Sequence, residues 1–115
     1  MVEFLAWYDA QTLTELSEID IAQNLEQCRA ATGQLLDLSF DTISSTGPNA
    51  AINHYRVTED TNRRLQTGDL FLLDSGGQYP DGTTDITRTL PVGVIAKNRR
   101  AAYTRVLQGM IAVSR

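Results

Sequence analysis

A segment rich in glycine and proline, with a strand-like pattern on each side, constrains the fold of this chain more than any other feature. Leu70 to Leu73 form a short apolar run that ends on Asp74. Ile86 to Val92 alternate in the manner of a second strand. Between them lie residues that interrupt regular structure, namely Gly76, Gly77, Pro80 and Gly82. The pattern predicts two antiparallel strands joined by a turn-rich segment.

Helical patterns lie on both sides of these strands. Residues 2–9 fit a short helix. A second helix is predicted over residues 18–31, because Ser17 and Asp20 form a capping-box-like start. After Gly93 the pattern becomes helical again, and apolar residues recur at intervals of three and four over residues 96–115.

Two shorter strands are predicted before the apolar run, over residues 40–44 and 50–55, with a turn at Gly47-Pro48-Asn49 between them. The order of helices, antiparallel strands and a final helix indicates an α+β arrangement. Neither end of the sequence has a helix start or stop signal. We therefore expect residues 1–115 to be part of a larger domain, cut at both ends.

Composition excludes several classes of protein. A net charge of −4 without a continuous basic stripe argues against nucleic-acid binding. The longest purely apolar run is far shorter than the ~20 residues that span a bilayer, so no membrane partner is expected. The N-terminus lacks a signal-peptide pattern, and Cys28 is the only cysteine, which excludes an intrachain disulfide and a cysteine-based zinc site. A cytoplasmic protein is expected.

Two carboxylates, Asp74 and Asp85, flank the turn-rich segment. Their midpoint falls between Tyr79 and Pro80, so strands pairing about that point would place the carboxylates directly opposite each other. Directly opposed residues have Cβ atoms about 4.5–5.5 Å apart, and two carboxylates that close repel unless one is protonated. A divalent cation, or two cations about 3.5–4 Å apart, would remove the conflict.

Other interpretations of these residues remain open. Asp74 precedes Ser-Gly-Gly and fits the opening of a turn, and Asp85 fits a turn cap. Asp81, followed by Gly82, is more typical of a turn than of a metal ligand. His54 is the only histidine, and a lone histidine is more often structural. Its apolar setting also fits a pocket wall, where the imidazole could donate to a substrate carbonyl.

Two stretches of the sequence are specific enough to indicate a family: DTISSTGPNAAINHY and DSGGQYPDGTTDITRT. Together they resemble the first half of the catalytic domain of Xaa-Pro aminopeptidase (aminopeptidase P), and the resemblance extends over nearly the whole chain. It implies the first half of a pita-bread fold, with an antiparallel sheet flanked by helices. Residues 1–115 would then be a partial pita-bread catalytic domain.

The resemblance also implies a site and a reaction. It implies a centre of two divalent cations, usually Mn²⁺, with Zn²⁺ or Co²⁺ as alternatives. Asp74 would hold one metal, Asp85 would bridge both, and His54 would line the substrate pocket and help to stabilise the tetrahedral intermediate. The family's remaining ligands, one His and two Glu, would lie beyond Arg115. The site would therefore be incomplete in this chain, and the chain alone inactive.

The implied reaction removes the N-terminal residue from peptides whose second residue is proline, so such peptides are the expected partners. Two other functions are considered: a non-catalytic pita-bread module that binds peptides or proteins, and a prolidase-like dipeptidase. Asp74 and Asp85 are both present, which favours the enzyme over the module. The stretch ISSTGPNAAINHY favours the aminopeptidase over the dipeptidase. A homodimer is a further candidate assembly.

Overall fold

Three helices and six short strands form the chain, in the α+β order that the sequence predicts. The structure is a computed structural model that describes residues 1–115. The helices are α1 (Val2–Asp9), α2 (Glu18–Ala30) and α3 (Lys97–Val113). The strands are β1 (Asp37–Leu38), β2 (Ile43–Thr46), β3 (Leu70–Ser75), β4 (Gly77–Tyr79), β5 (Gly82–Thr83) and β6 (Ile86–Pro91).

The predicted strand over residues 50–55 is wrong, and the strand predicted over 40–44 begins later. Gly47–Ala51 forms a short 3-10 helix, and the following residues make a turn. Pro48 explains why a 3-10 helix begins here and not a strand, because proline has a fixed φ and lacks the N–H that a strand ladder would use. β2 occupies Ile43–Thr46, directly before this helix.

The turn-rich segment forms one long, interrupted hairpin. β3 pairs antiparallel with β6 in a sheet of order β2-β3-β6, and β4 pairs with β5 in a second sheet of order β1-β4-β5. Both pairs share one register, in which Asp74 faces Thr87 and Gln78 faces Thr83. The strand pair predicted from the sequence is confirmed, although an interruption after Ser75 divides it between two sheets.

The core lies between one face of the β2-β3-β6 sheet and the helices α1 and α2. In β3, Phe71, Leu73 and Ser75 are buried, whereas Asp74 and its alternate neighbours are only partly buried. This pattern follows from strand geometry, because successive side chains point to opposite faces. The ring of Tyr8 stacks on Phe71 with centroids 5.9 Å apart. The buried apolar cluster is Phe4, Tyr8, Ile21, Leu25, Leu65, Phe71, Leu73 and Val92.

Helix α2 begins as predicted. The Ser17 hydroxyl accepts a hydrogen bond from the Asp20 N–H, and the Asp20 carboxylate accepts one from the Ser17 N–H at 2.8 Å. The Ser17 hydroxyl also donates to the Asp20 carboxylate at 2.7 Å, and this hydrogen bond, together with the one from the Ser17 N–H, lowers the pKa of the Asp20 carboxyl. The capping box fixes the start of α2, and so it also fixes the position of Glu18, the first residue of the helix.

Helix α3 differs from the other two because none of its residues is buried. Several of its apolar side chains are exposed, namely Tyr103, Val106, Leu107, Met110, Ile111 and Val113. None of the three helices is both long enough and apolar enough to cross a membrane.

Candidate metal centre

Asp74 and Asp85 lie on the same sheet face but are not directly opposed, so that part of the sequence prediction is wrong. Asp74 faces Thr87, and Asp85 lies two residues before Thr87. The centre of the hairpin lies between Pro80 and Asp81, because Tyr79 pairs with Gly82 around a two-residue turn. Because this centre lies one residue further along the chain than the sequence predicted, the residue opposite Asp74 lies two residues further along, at Thr87 instead of Asp85. The two aspartates are therefore diagonal neighbours, a relation with a typical separation of about 7–8 Å.

Gly76 lies at the interruption beside the two carboxylates. A Cβ at this position would lie 2.1 Å from both the Ser39 Oγ and the Thr84 carbonyl oxygen, far inside contact distance. The Ser39 hydroxyl occupies this space and donates a hydrogen bond to the Thr84 carbonyl at 3.0 Å. Only glycine permits this close approach, which places the end of the ladder next to Asp85.

A cavity of about 340 Å³ brings together all three residues that the sequence nominated. Asp74 reaches it from β3, Asp85 from the interruption before β6, and His54 from the turn after the 3-10 helix. The remaining lining residues are Phe40, Asp41, Ile43 and Arg56. Larger clefts of about 540 and 510 Å³ lie elsewhere on the molecule, and neither contains these three residues.

The environment of Asp74 fits a metal ligand. Its Oδ1 is buried and has no hydrogen-bond partner. A buried carboxylate oxygen without a donor is costly, and a bound cation would remove that cost. Asp85 is exposed at the same cavity. Carboxylate oxygens suit hard divalent cations, but the structure contains no group of three or more His, Cys, Asp or Glu side chains that could hold one. The two carboxylates alone would therefore supply only part of a coordination sphere.

His54 has an unusual backbone conformation. Its φ is +54°, the only positive value outside glycine. This left-handed conformation is uncommon for residues with a Cβ, although histidine is among the more tolerant types. The neighbouring residue Tyr55 is buried, whereas His54 is exposed at the cavity. The turn thus points one side chain inward as an anchor and leaves the imidazole at the cavity.

Glu18 holds the segment that bears His54, and sequence reasoning missed this role. Its side chain is fully buried and accepts hydrogen bonds from four donor groups. These are the Thr46 N–H at 2.7 Å, the Asn49 amide at 3.0 Å, the Tyr55 hydroxyl at 3.0 Å and the Arg63 N–H at 3.2 Å. In the sequence, Glu18 is simply an acidic residue in the first helical turn, where such residues are common.

Burial raises the pKa of the Tyr55 phenol, and the Glu18 carboxylate raises it further. The phenol therefore stays protonated and remains a donor to Glu18. Two residues of the cavity lining form an exposed ion pair, in which Arg56 Nη1 contacts Asp41 Oδ2 at 2.5 Å. The spacing of residues in the sequence gives no signal for either arrangement.

Residues 1–115 match the sequence pattern of metallopeptidase family M24. The chain belongs to this family. A probable Xaa-Pro aminopeptidase P of Ajellomyces dermatitidis is 46% identical over 98% of this chain, and one of Tuber melanosporum is 45% identical over 100% of it. This M24 chain spans only 19% of the length of each of these relatives.

Solved structures agree with the family assignment. An X-prolyl aminopeptidase of Caenorhabditis elegans, described as a cytosolic enzyme with a di-nuclear active site, is 41% identical with a TM-score of 0.75. The match covers 84% of this chain and 16% of that one. A prolidase of Thermococcus sibiricus is 27% identical with a TM-score of 0.79, covering 92% of this chain and 28% of that one. The M24 chain has the α+β architecture of part of a pita-bread fold, as its sequence predicts.

Proposed function

We propose that this chain is part of a metalloaminopeptidase that removes the N-terminal residue from peptides whose second residue is proline. The observation that carries the proposal is the cavity at which Asp74, Asp85 and His54 meet, with an unpartnered buried oxygen on Asp74. The names of the aminopeptidase P relatives, at 43% to 46% identity, support the same activity.

Residues 1–115 would form part of the catalytic domain rather than all of it. The exposed apolar side chains of α3 support this proposal, because such a helix face usually packs against further protein. The relatives' greater length provides sequence for that protein. A second copy of the chain is the other candidate cover, and the oligomeric state measured by light scattering distinguishes the two. Cytosolic residence is proposed from the description of the C. elegans neighbour.

The ligand roles follow from the resemblance and fit the described environments. Asp74 would hold one cation with its otherwise unpartnered oxygen, and Asp85 would bridge two cations from the exposed side of the cavity. Mn²⁺ is the proposed metal because the family resemblance implies it and hard oxygen donors suit it, with Zn²⁺ and Co²⁺ as alternatives. When bound, the two cations would supply Lewis acidity at the scissile carbonyl and lower the pKa of attacking water. One His and two Glu from outside this sequence would complete the sphere.

His54 would act on the substrate. Its imidazole lies at the same cavity as the carboxylates, so it can donate a hydrogen bond to a carbonyl oxygen held there. A donor fixed before reaction stabilises the negative charge that develops on that oxygen. The hydrogen-bonded anchor of the adjacent Tyr55 would keep the imidazole in place.

Selectivity for proline would come from the walls of the cavity. Phe40 and Ile43 give it apolar surface close to the two aspartates. A proline ring fits apolar surface and brings no backbone N–H that the enzyme would have to satisfy. Other residues at the second position would bury an N–H without a partner.

The test uses Asp74→Asn and Asp85→Asn in the full polypeptide that contains this sequence, with Asp81→Asn as the matched control. Asp81 lies in the two-residue turn of the same hairpin, outside the cavity lining. We expect both cavity variants to lose bound Mn²⁺ and Xaa-Pro hydrolysis, and the control to keep both. Wild-type turnover and metal content in Asp85→Asn would refute the bridging role. The 115-residue chain alone should show no submicromolar Mn²⁺ binding by calorimetry.

A prolidase-like dipeptidase is the second candidate, favoured by the TM-score of 0.79 to the T. sibiricus prolidase. Substrate length separates the two activities. An aminopeptidase should hydrolyse Xaa-Pro-Xaa tripeptides as well as longer peptides, whereas a dipeptidase should accept only Xaa-Pro. Hydrolysis confined to dipeptides would overturn the aminopeptidase proposal.

A further inference from the structure

Arg29 is a buried cation in α2 that has no carboxylate partner. Its residue exposure is 7%, yet the two ion pairs of the structure, Arg56–Asp41 and Arg99–Asp69, do not include it. Buried charges in proteins are normally paired or fully hydrogen-bonded. The Nε of Arg29 lacks even a hydrogen-bond partner. A local ion pair therefore does not explain why this charge is buried.

The guanidinium of Arg29 joins the two strands of the interrupted hairpin. Nη2 donates to the carbonyl oxygen and the hydroxyl of Ser75, at 3.3 and 3.0 Å. Nη1 donates to the Tyr79 hydroxyl at 3.1 Å and to the Thr84 hydroxyl at 3.4 Å. Ser75 and Tyr79 lie on the outgoing half of the hairpin and Thr84 lies on the returning half.

These contacts lie directly behind the two proposed ligands. Ser75 follows Asp74 in the chain, and Thr84 precedes Asp85. Successive side chains of a strand point to opposite faces, so Ser75 faces α2 while Asp74 faces the cavity. The strand is interrupted only at Gly76, because Ser75 pairs with Ile86 and the Gly77 carbonyl accepts the Thr84 N–H at 2.9 Å. The fork of Arg29 therefore adds side-chain hydrogen bonds to both halves of the hairpin on either side of this interruption.

We propose that Arg29 is a positioning residue for Asp74 and Asp85, which fixes their relative placement so that two cations can share them. The proposal rests on the metal centre proposed above. The planar guanidinium presents several donors at fixed angles, and a lysine ammonium cannot reach Ser75 and Thr84 together in the same way. Groups that orient metal ligands from behind typically change metal affinity by about 10–100-fold when they are removed.

The experiment compares Arg29→Met and Arg29→Lys with wild type in the full polypeptide. Calorimetry gives the Mn²⁺ stoichiometry and affinities, and electron paramagnetic resonance distinguishes a coupled Mn²⁺ pair from isolated ions. We expect both variants to bind one of the two ions at least about tenfold more weakly and to lose the coupled signal. Arg64→Met is the matched control, because Arg64 only donates to the Glu15 carbonyl at an exposed site.

The outcomes separate the claims. Wild-type affinities and a coupled signal in both Arg29 variants would overturn the positioning role. Wild-type behaviour in Arg29→Lys together with loss in Arg29→Met would also overturn it, because charge alone would then suffice. Asp85→Asn is measured alongside: if it still binds two ions like wild type, the proposed metal centre itself is wrong, whatever Arg29 does. Circular dichroism verifies that each variant remains folded. Arg29→Lys keeps the side-chain stem and the charge.

Discussion

The substitution Glu18→Gln tests whether one buried carboxylate holds the segment that carries His54. The substitution preserves size and removes the charge. Glutamine keeps one acceptor oxygen but places an NH₂ group where the second oxygen stood. The Oε1 of Glu18 receives the Thr46 N–H at 2.7 Å, and Oε2 receives the Arg63 N–H at 3.2 Å. Both are backbone donors that cannot turn round to accept.

The magnitude follows from counting those donors. Whichever way the amide is turned, one backbone N–H faces an NH₂ group and loses its partner. An unsatisfied buried donor costs about 1–3 kcal/mol, and the remaining hydrogen bonds lose the extra strength of a charged acceptor. The total expected loss is about 3 kcal/mol of unfolding free energy. The Tyr55 hydroxyl can accept as well as donate, so its contact at 3.0 Å adapts at smaller cost.

Urea unfolding followed by fluorescence measures the change, with Glu59→Gln as the control because Glu59 is exposed. The control should shift the unfolding free energy by less than about 0.5 kcal/mol. If the His54 turn depends on Glu18, the variant should also lose more activity than the control under conditions where both are folded. A loss below about 1 kcal/mol would refute the reasoning, since it would mean that the buried donors find other partners.

Four other substitutions test the fold. Gly76→Ala should destabilise the protein by about 1–3 kcal/mol, because the Thr84 backbone oxygen cannot move away from the added Cβ. Gly109→Ala is the control: Gly109 has open space around it, so this substitution should stabilise α3 by up to about 1 kcal/mol. Equal effects of the two substitutions in thermal melts would contradict this. Leu65→Ala should cost about 2–5 kcal/mol in urea unfolding, since Leu65 is fully buried. The pKa of Asp20 is lower in the folded state, so its carboxylate stabilises the fold above about pH 4, and this contribution is lost as the pH falls through the folded-state pKa. Asp20→Asn should therefore lower the unfolding free energy at neutral pH and weaken its dependence on pH in acid.

Regular elements with strong local signals were predictable from the sequence. The capping box of Ser17 and Asp20 located the start of α2, and alternation located β3 and β6. The strand prediction over residues 50–55 failed because a short apolar run has no periodicity that would distinguish a strand from a helix. Pro48 decided the outcome in favour of a 3-10 helix, and the burial of Tyr55 against Glu18 depends on contacts distant in sequence.

The sequence nominated three residues that meet at one cavity, but it did not predict their geometry. Asp74, Asp85 and His54 were nominated from residue type, spacing and the family resemblance, and they line one cavity. The supporting residues were not nominated. Glu18 acts on residues 28 to 45 positions away, and Arg29 acts on residues 46 to 55 positions away. No local pattern records such partners, because the tertiary fold alone brings them together.

The diagonal placement of Asp74 and Asp85 bears on how many cations the pair can serve. Directly opposed carboxylates would have Cβ atoms about 4.5–5.5 Å apart. Diagonal residues, about 7–8 Å apart, leave each carboxylate its own position on the cavity wall. We expect this wider spacing to accommodate the two cations, about 3.5–4 Å apart, of the proposed centre. The two-residue turn at Pro80 and Asp81 sets this register, and a one-residue slip would carry a whole strand's side chains to the other face. The turn therefore determines both which face the carboxylates occupy and how far apart they lie on it.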